Sequence, residues 1–311
     1  MTNAIWLQIN DREQKTTDLV NNGGFGIIYL QLGQFESVTN EISHYNTDTE
    51  ISESVSYWKK LGYTVMGWVI SHENYGGYIQ FSTVEQRQRL TEAVVSEVKK
   101  YGFDGFKSDI ELWGNWDSYL SLLNQFTDAL NAIGKKHDVN INIRQSHRLT
   151  YYVGGDGMTL AQFKTLRCNL LVPMFYDGAE YTVDMKKQQF DFICSNSHLP
   201  LLAGITSQYP NVLNQEIVWM TESINAKSYP QIKGVALWWN AQMSDNEWEA
   251  WNNWTLKDRY VSVIAPVVGV TQSLSVIAPV VGVTQSFLSL FLVGCEIILA
   301  GFLIVTERKN K

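Results

Sequence analysis

The chain has 311 residues, 45% of them hydrophobic, enough for one large core or two modest ones. A formal net charge of −7 excludes the basic footprint of a nucleic-acid-binding protein. The three cysteines, Cys168, Cys194 and Cys295, form neither a metal-binding spacing nor a disulfide framework, and no metal or cofactor motif is read from the sequence. Between Asn3 and Asn240 strand-like and helix-like segments alternate. Ala4–Ile9, Gly26–Gln31 and Tyr63–Ile70 are short apolar runs that read as strands. Asn21-Asn-Gly-Gly-Phe-Gly26 lies before a strand rather than before a helix and reads as a turn. Ser82–Lys100 reads as a helix with Ser82 and Glu85 as its capping box, a Leu90, Ala93, Val94, Val98 stripe and Gly102 as its stop. The fourth strand, Phe103–Glu111 (FDGFKSDIE), follows it. Trp116–Ile133 is the next helix, with its stripe on Tyr119, Leu123, Phe126, Leu130 and Ile133.

Val139–Ile143, Asn169–Tyr176, Leu199–Ile205 and Lys233–Trp239 read as the remaining strands. Thr159–Leu166, Tyr181–Ile193, Val212–Ala226 and a short segment ending near Trp254 read as helices. Eight such units in roughly 250 residues predict an α/β fold, a (β/α)8 TIM barrel over residues 1–258. Most of the strands are near-continuously apolar, as parallel strands covered on both faces are. An open doubly wound sheet is the competing architecture, but eight is the number that closes a barrel, and no Gly-rich phosphate loop follows the first strand.

After Trp254 the composition changes. Ser262–Ser273 (SVIAPVVGVTQS) recurs identically as Ser275–Ser286, so residues 259–286 read as a duplicated linker or stalk. Phe287–Val305 has the length of a transmembrane helix, with Glu296 its one acid, and the tail 306–311 is basic. Positive residues after the span place the tail inside and the main domain outside, with the lipid bilayer as a partner. The start of the chain has no basic region and only a short apolar run, so no signal peptide is read there.

Function is read from the strand ends, where a barrel of this class carries its chemistry. On FDGFKSDIE, Gly105, Lys107, Asp109 and Glu111 alternate onto one face, and the two acids stand about 7 Å apart along the backbone. The other strand ends offer Gln31, Met174, Tyr176, Asp177 and Trp238, with Trp113 just beyond Glu111. An acid pair among aromatics suits a carbohydrate, because flat rings stack on the C–H faces of pyranoses, although Tyr176 and Trp238 would serve equally as barrel packing.

DGFKSDIE resembles the DGxDxDxE signature of glycoside hydrolase family 18, the chitinases and endo-β-N-acetylglucosaminidases. Met174-Phe-Tyr-Asp177 looks like the family's M-x-Y-D, and Gly234-Val-Ala-Leu-Trp238 is similar to its G-V-x-x-W. The resemblance implies retaining hydrolysis of β-1,4-linked N-acetylglucosamine glycans, with the substrate's own acetamide as nucleophile. Glu111 would be the general acid, Asp109 would orient the acetamide and Tyr176 would donate to its oxygen. Trp238, Asp177, Met174, Gln31 and Trp113 would bind substrate. Lys107 stands where the family has its middle Asp, and a lysine paired with the two acids would favour a non-catalytic lectin of the same fold. The expected partner is thus an N-acetylglucosamine polysaccharide or glycan, cleaved or bound.

Overall fold

In the computed structural model the described residues are 3–71, 79–111, 115–142, 158–176, 182–207, 212–238 and 243–254. Eight strands, β1 (Asn3–Gln8), β2 (Phe25–Phe35), β4 (Thr64–Ser71), β5 (Gly105–Ile110), β6 (Lys136–Asn142), β7 (Leu170–Met174), β8 (Leu201–Thr206) and β9 (Ile232–Trp238), pair in parallel. Because β1 pairs with both β2 and β9, the sheet closes. The result is a (β/α)8 barrel, with FDGFKSDIE as its fourth barrel strand. Helices α1 (Gln14–Asn22), α2 (Asp48–Lys60), α3 (Val84–Tyr101), α4 (Trp116–Ala132), α5 (Leu160–Phe163), α6 (Val183–Asn196), α7 (Val212–Ala226) and α8 (Asp245–Asn253) follow the strands in turn.

Strand alternation divides the core into two layers. Outward-facing side chains such as Ile28, Val65, Phe106, Val139 and Leu171 pack with Val55, Trp58, Leu90, Val94, Leu123 and Phe126 of the helices. The inward set, Ala4, Trp6, Ile27, Tyr29, Met66, Trp68, Ile70, Val172, Leu202 and Ala236, fills the barrel. A strand covered on both faces needs apolar residues at consecutive positions, which is why most of these segments are near-continuous apolar runs.

Several boundaries differ from the sequence reading for identifiable reasons. The α3 capping box is Thr83 with Gln86, not Ser82 with Glu85. Both pairs satisfy the same spacing, and the extended backbone at Thr83 (φ −94°, ψ 162°) decides between them. Asn21 and Asn22 close α1 rather than forming a turn, which is confined to Gly23 and Gly24, the latter at φ 70°. Beyond the barrel, β2 runs on and pairs antiparallel with β3 (Ile42–His44). Gly33 permits this contact, because a Cβ there would lie 1.9 Å from the Ser43 carbonyl oxygen. Cys168 and Cys194 are free thiols.

Among the described residues no helix is long and apolar enough to cross a membrane. The linker 259–286, the Phe287–Val305 segment and the basic tail lie outside the described residues.

β5 is positioned by two short-range features. Asp104 Oδ2 accepts from the Val65 amide at 3.0 Å and Oδ1 from the Lys59 ammonium at 2.8 Å, so this acid anchors the strand's entry. Gly105 lets β6 close in, since a Cβ there would sit 2.4 Å from the Lys136 carbonyl oxygen and 2.7 Å from Met66 Cε. Gly105→Ala should therefore destabilise the barrel by about 1–3 kcal/mol in urea unfolding. Gly102→Ala, at φ 70° with nothing within 4 Å of its Cβ, should cost about 1 kcal/mol from backbone strain alone. A Gly105→Ala loss smaller than that of Gly102→Ala would contradict this account of β5.

Candidate active site

Parallel strands in a closed barrel deliver their last inward residues to one mouth. On β5 the inward series is Lys107, then Asp109, then Glu111 just past the strand. Lys107 and Asp109 are buried and Glu111 is half-buried. The Glu111 amide donates to the Ser71 carbonyl at 2.9 Å, which carries the β4–β5 pairing one residue past the strand and fixes where Glu111 leaves the sheet. Tyr119 of α4 donates its hydroxyl to the Ile110 carbonyl at 3.3 Å from behind. Burial, with Asp109 and Glu111 nearby, raises the Tyr119 pKa, so the phenol keeps its proton.

Asp109 is oriented by an indole. Trp68 Nε1–H donates to Asp109 Oδ2 at 3.0 Å. Trp68 in turn meets Trp238 edge-on, with ring centroids 5.2 Å apart at 75°, and Trp238 meets Trp6 at 5.5 Å and 80°. Trp238, half-buried at the end of β9, therefore caps an aromatic stack that reaches Asp109 through Trp68.

Below this layer lies a polar floor. The Lys107 ammonium donates to Asn140 Oδ1 and stands over the rings of Trp6 and Tyr29, at 5.0 and 4.9 Å from their centroids. The Tyr29 hydroxyl donates to Asp138 Oδ2 at 2.8 Å, and Asn140 Nδ2 donates to Met174 Sδ at 3.6 Å. Burial lowers the Lys107 pKa to about 7, against the opposing pull of Asp109 and then Asp138. Burial likewise raises Asp138 to about 6, although Tyr29 and Lys107 act the other way.

Met174 is buried at the end of β7, with Asn140 as its donor. Tyr176 is half-buried two residues further on, and its ring lies over Gly204, whose added Cβ would come within 3.3 Å of Tyr176 Cε1. Gln31 is half-buried on β2, in register with Gln8 and Trp68. Asp177 and Trp113 lie outside the described residues.

Sequence reasoning missed Trp6, Tyr29, Trp68, Asp138 and Asn140. The aromatics sit in apolar runs that read simply as core. The β6 residues did carry a signal, because Asp138 and Asn140 alternate with Val139 and Ile141 as one polar and one apolar face.

The described residues thus form a closed parallel barrel whose fourth strand leads through Asp109 to Glu111, with the Trp68 indole on Asp109. No protein-family model matches the sequence, and no curated protein does. The fold is that of the family 18 chitinases. A family GH18 chitinase catalytic domain from the fern Peteris ryukyuensis superposes with a TM-score of 0.62 at 12% identity, covering 82% of this chain and 98% of that one. A chitinase from Chromobacterium violaceum gives 0.58 at 12%, covering 79% and 97%. A GH18 chitinase from Cycas revoluta, in complex with (GlcNAc)3, gives 0.50 at 13%, covering 66% and 68%. At these identities the likeness is one of fold.

Lys107 leaves a measurable mark on stability. Its folded pKa, about 7, lies below the ordinary 10.5, so between those values the unfolded chain binds the extra proton. The stability cost of charging Lys107 is fully present below pH 7 and is relieved as pH rises toward 10.5. Relative to Lys107→Met, the wild type should gain on the order of a few kcal/mol across this window in urea titrations. Parallel stability curves for the two proteins would show that Lys107 titrates normally.

Proposed function

We propose that the protein is a retaining glycoside hydrolase that cleaves β-1,4-linked N-acetylglucosamine glycans with assistance from the substrate acetamide. The observation that carries this reading is the placement of Asp109 and Glu111 at the end of the fourth barrel strand, on a fold shared with chitinases. Glu111 protonates the glycosidic oxygen as the bond to C1 breaks. The acetamide oxygen closes on C1 to give an oxazolinium ion, whose N–H is held by Asp109. Water then attacks C1 and returns its proton to Glu111, and the configuration at C1 is kept.

Asp109 suits this task because Trp68 already engages one of its oxygens, and a carboxylate with one fixed oxygen has a defined orientation for the other. Tyr176, set over Gly204, is assigned the acetamide oxygen, and Trp238, backed by Trp6 and Trp68, the face of the sugar. Met174, Gln31, Asp177 and Trp113 complete the proposed contacts. The bound (GlcNAc)3 of the Cycas revoluta enzyme supports N-acetylglucosamine as the unit recognised.

Turnover of a chromogenic chitobioside tests this reading. Glu111→Gln should lower kcat on the order of 10²–10⁴-fold, the usual weight of a general acid, with little change in oligosaccharide binding. A wild-type protein that binds the sugar without turning it over would sink the hydrolase and leave a glycan-binding protein of the same fold.

A further inference from the structure

The inward face of β5 holds a cation where a glycosidase barrel has most use for acids. Lys107 is fully buried, with no solvent to screen it. Its ammonium is placed by Asn140 Oδ1 and by the faces of Trp6 and Tyr29. Asp109 is one pleat toward the mouth, tied to Trp68. Asp138, across the β5–β6 pairing from Lys107, is tied to Tyr29. One buried cation thus serves two buried carboxyl groups, each already engaged by a neutral donor.

We propose that Lys107 is a positioning residue: its ammonium holds Asp109 as a carboxylate seated on the Trp68 indole, so that Glu111 alone carries the transferable proton of the strand end. The role assigned to Asp109 rests on the hydrolase reading above, whereas its charge does not. An opposite charge inside a low-dielectric barrel favours the ionised carboxyl, and a cation works best where solvent cannot screen it. The ammonium keeps its proton below about pH 7, the range in which a carboxyl would otherwise take one up. Among the described residues, the other titratable groups around this pair are Tyr29 on β2, Glu111 on β5, Tyr119 on α4, His137 and Asp138 on β6 and Cys168 ahead of β7, and burial keeps His137 neutral. Tyr29 and Cys168 are both raised by burial and stay neutral across that range. β1 and β4 present Trp6 and Trp68, which do not titrate. Lys107 is therefore the cation that faces Asp109 among the described residues.

Carboxyl-carbon NMR of Asp109, assigned with Asp109→Asn, tests this in wild type and Lys107→Met, together with the pH profile of kcat/KM. The Asp109 midpoint should move to higher pH in Lys107→Met, and the acid limb of the rate profile should move with it. A role in packing alone would lower stability and leave that midpoint where it was, which would overturn the proposal. If Lys107→Met does not fold, the wild type decides. The Asp109 carbon should then show a second inflection at the pH where Lys107 Cε titrates, and its absence would overturn the proposal. A coupled Asp109 in a protein without turnover would uphold the charge role and reject the hydrolase. Turnover with an uncoupled Asp109 would do the reverse.

Discussion

The barrel depends on how it accommodates a buried ammonium. Moving a lone charge into a protein interior costs several kcal/mol even after relaxation. Lys107 is offset by a hydrogen bond to Asn140, two ring faces and two carboxyl groups, and what remains uncompensated appears as a pKa lowered to about 7. These partners come from β1, β2, β5 and β6, elements distant in sequence that only closure of the sheet brings together. The same closure seats Trp238 of β9 against Trp6 and Trp68. Charge compensation below and aromatic packing above leave Asp109 between them, held by an indole N–H.

That arrangement separates support from chemistry along one strand. Asp104 anchors the entry of β5 through Lys59 and the Val65 amide. Phe106 and Ser108 face outward. Phe106 packs against Phe35 and Phe126, and Ser108 hydrogen-bonds His137 Nε2 at 2.6 Å. Burial lowers the His137 pKa to about 3, so the imidazole is a neutral link that also bonds Thr127 of α4 at 2.8 Å. Inward positions 107 and 109 are fixed by the barrel interior, and only position 111 emerges at the mouth. Each step of two residues along the inward face therefore moves toward the mouth, from Gly105 against β6, through buried Lys107 and Asp109, to half-buried Glu111.

Much of this was legible in the sequence, and the rest was hidden for physical reasons. Most of the barrel strands stand out because burial on both faces demands continuous apolar runs, whereas β5 and β6 stand out by alternation, with Lys107, Asp109, Asp138 and Asn140 on their inward faces. α1 escapes detection because only Thr16, Thr17 and Val20 of its nine residues are buried, and β3 because its three residues are half-buried. The position of Asp109 and Glu111 followed from strand alternation alone. Their surroundings did not, because Trp6 and Trp68 look like any core aromatic until closure aims them at Lys107 and Asp109. Lys107 was legible as a departure from a motif and, by alternation, as sharing a face with the two acids. Its direction, toward Asn140 and the rings of Trp6 and Tyr29, depends on β1, β2 and β6, which no local pattern relates to β5.

In the proposed reaction this strand end cleaves glycosidic bonds with retention, using the substrate's acetamide in place of a second carboxylate nucleophile. Proton NMR of a chito-oligosaccharide digest, read before mutarotation, reports the configuration of the newly formed reducing end. The account predicts that the β-anomer appears first. Initial release of the α-anomer would mean direct attack by water on the opposite face of the sugar, and would contradict it.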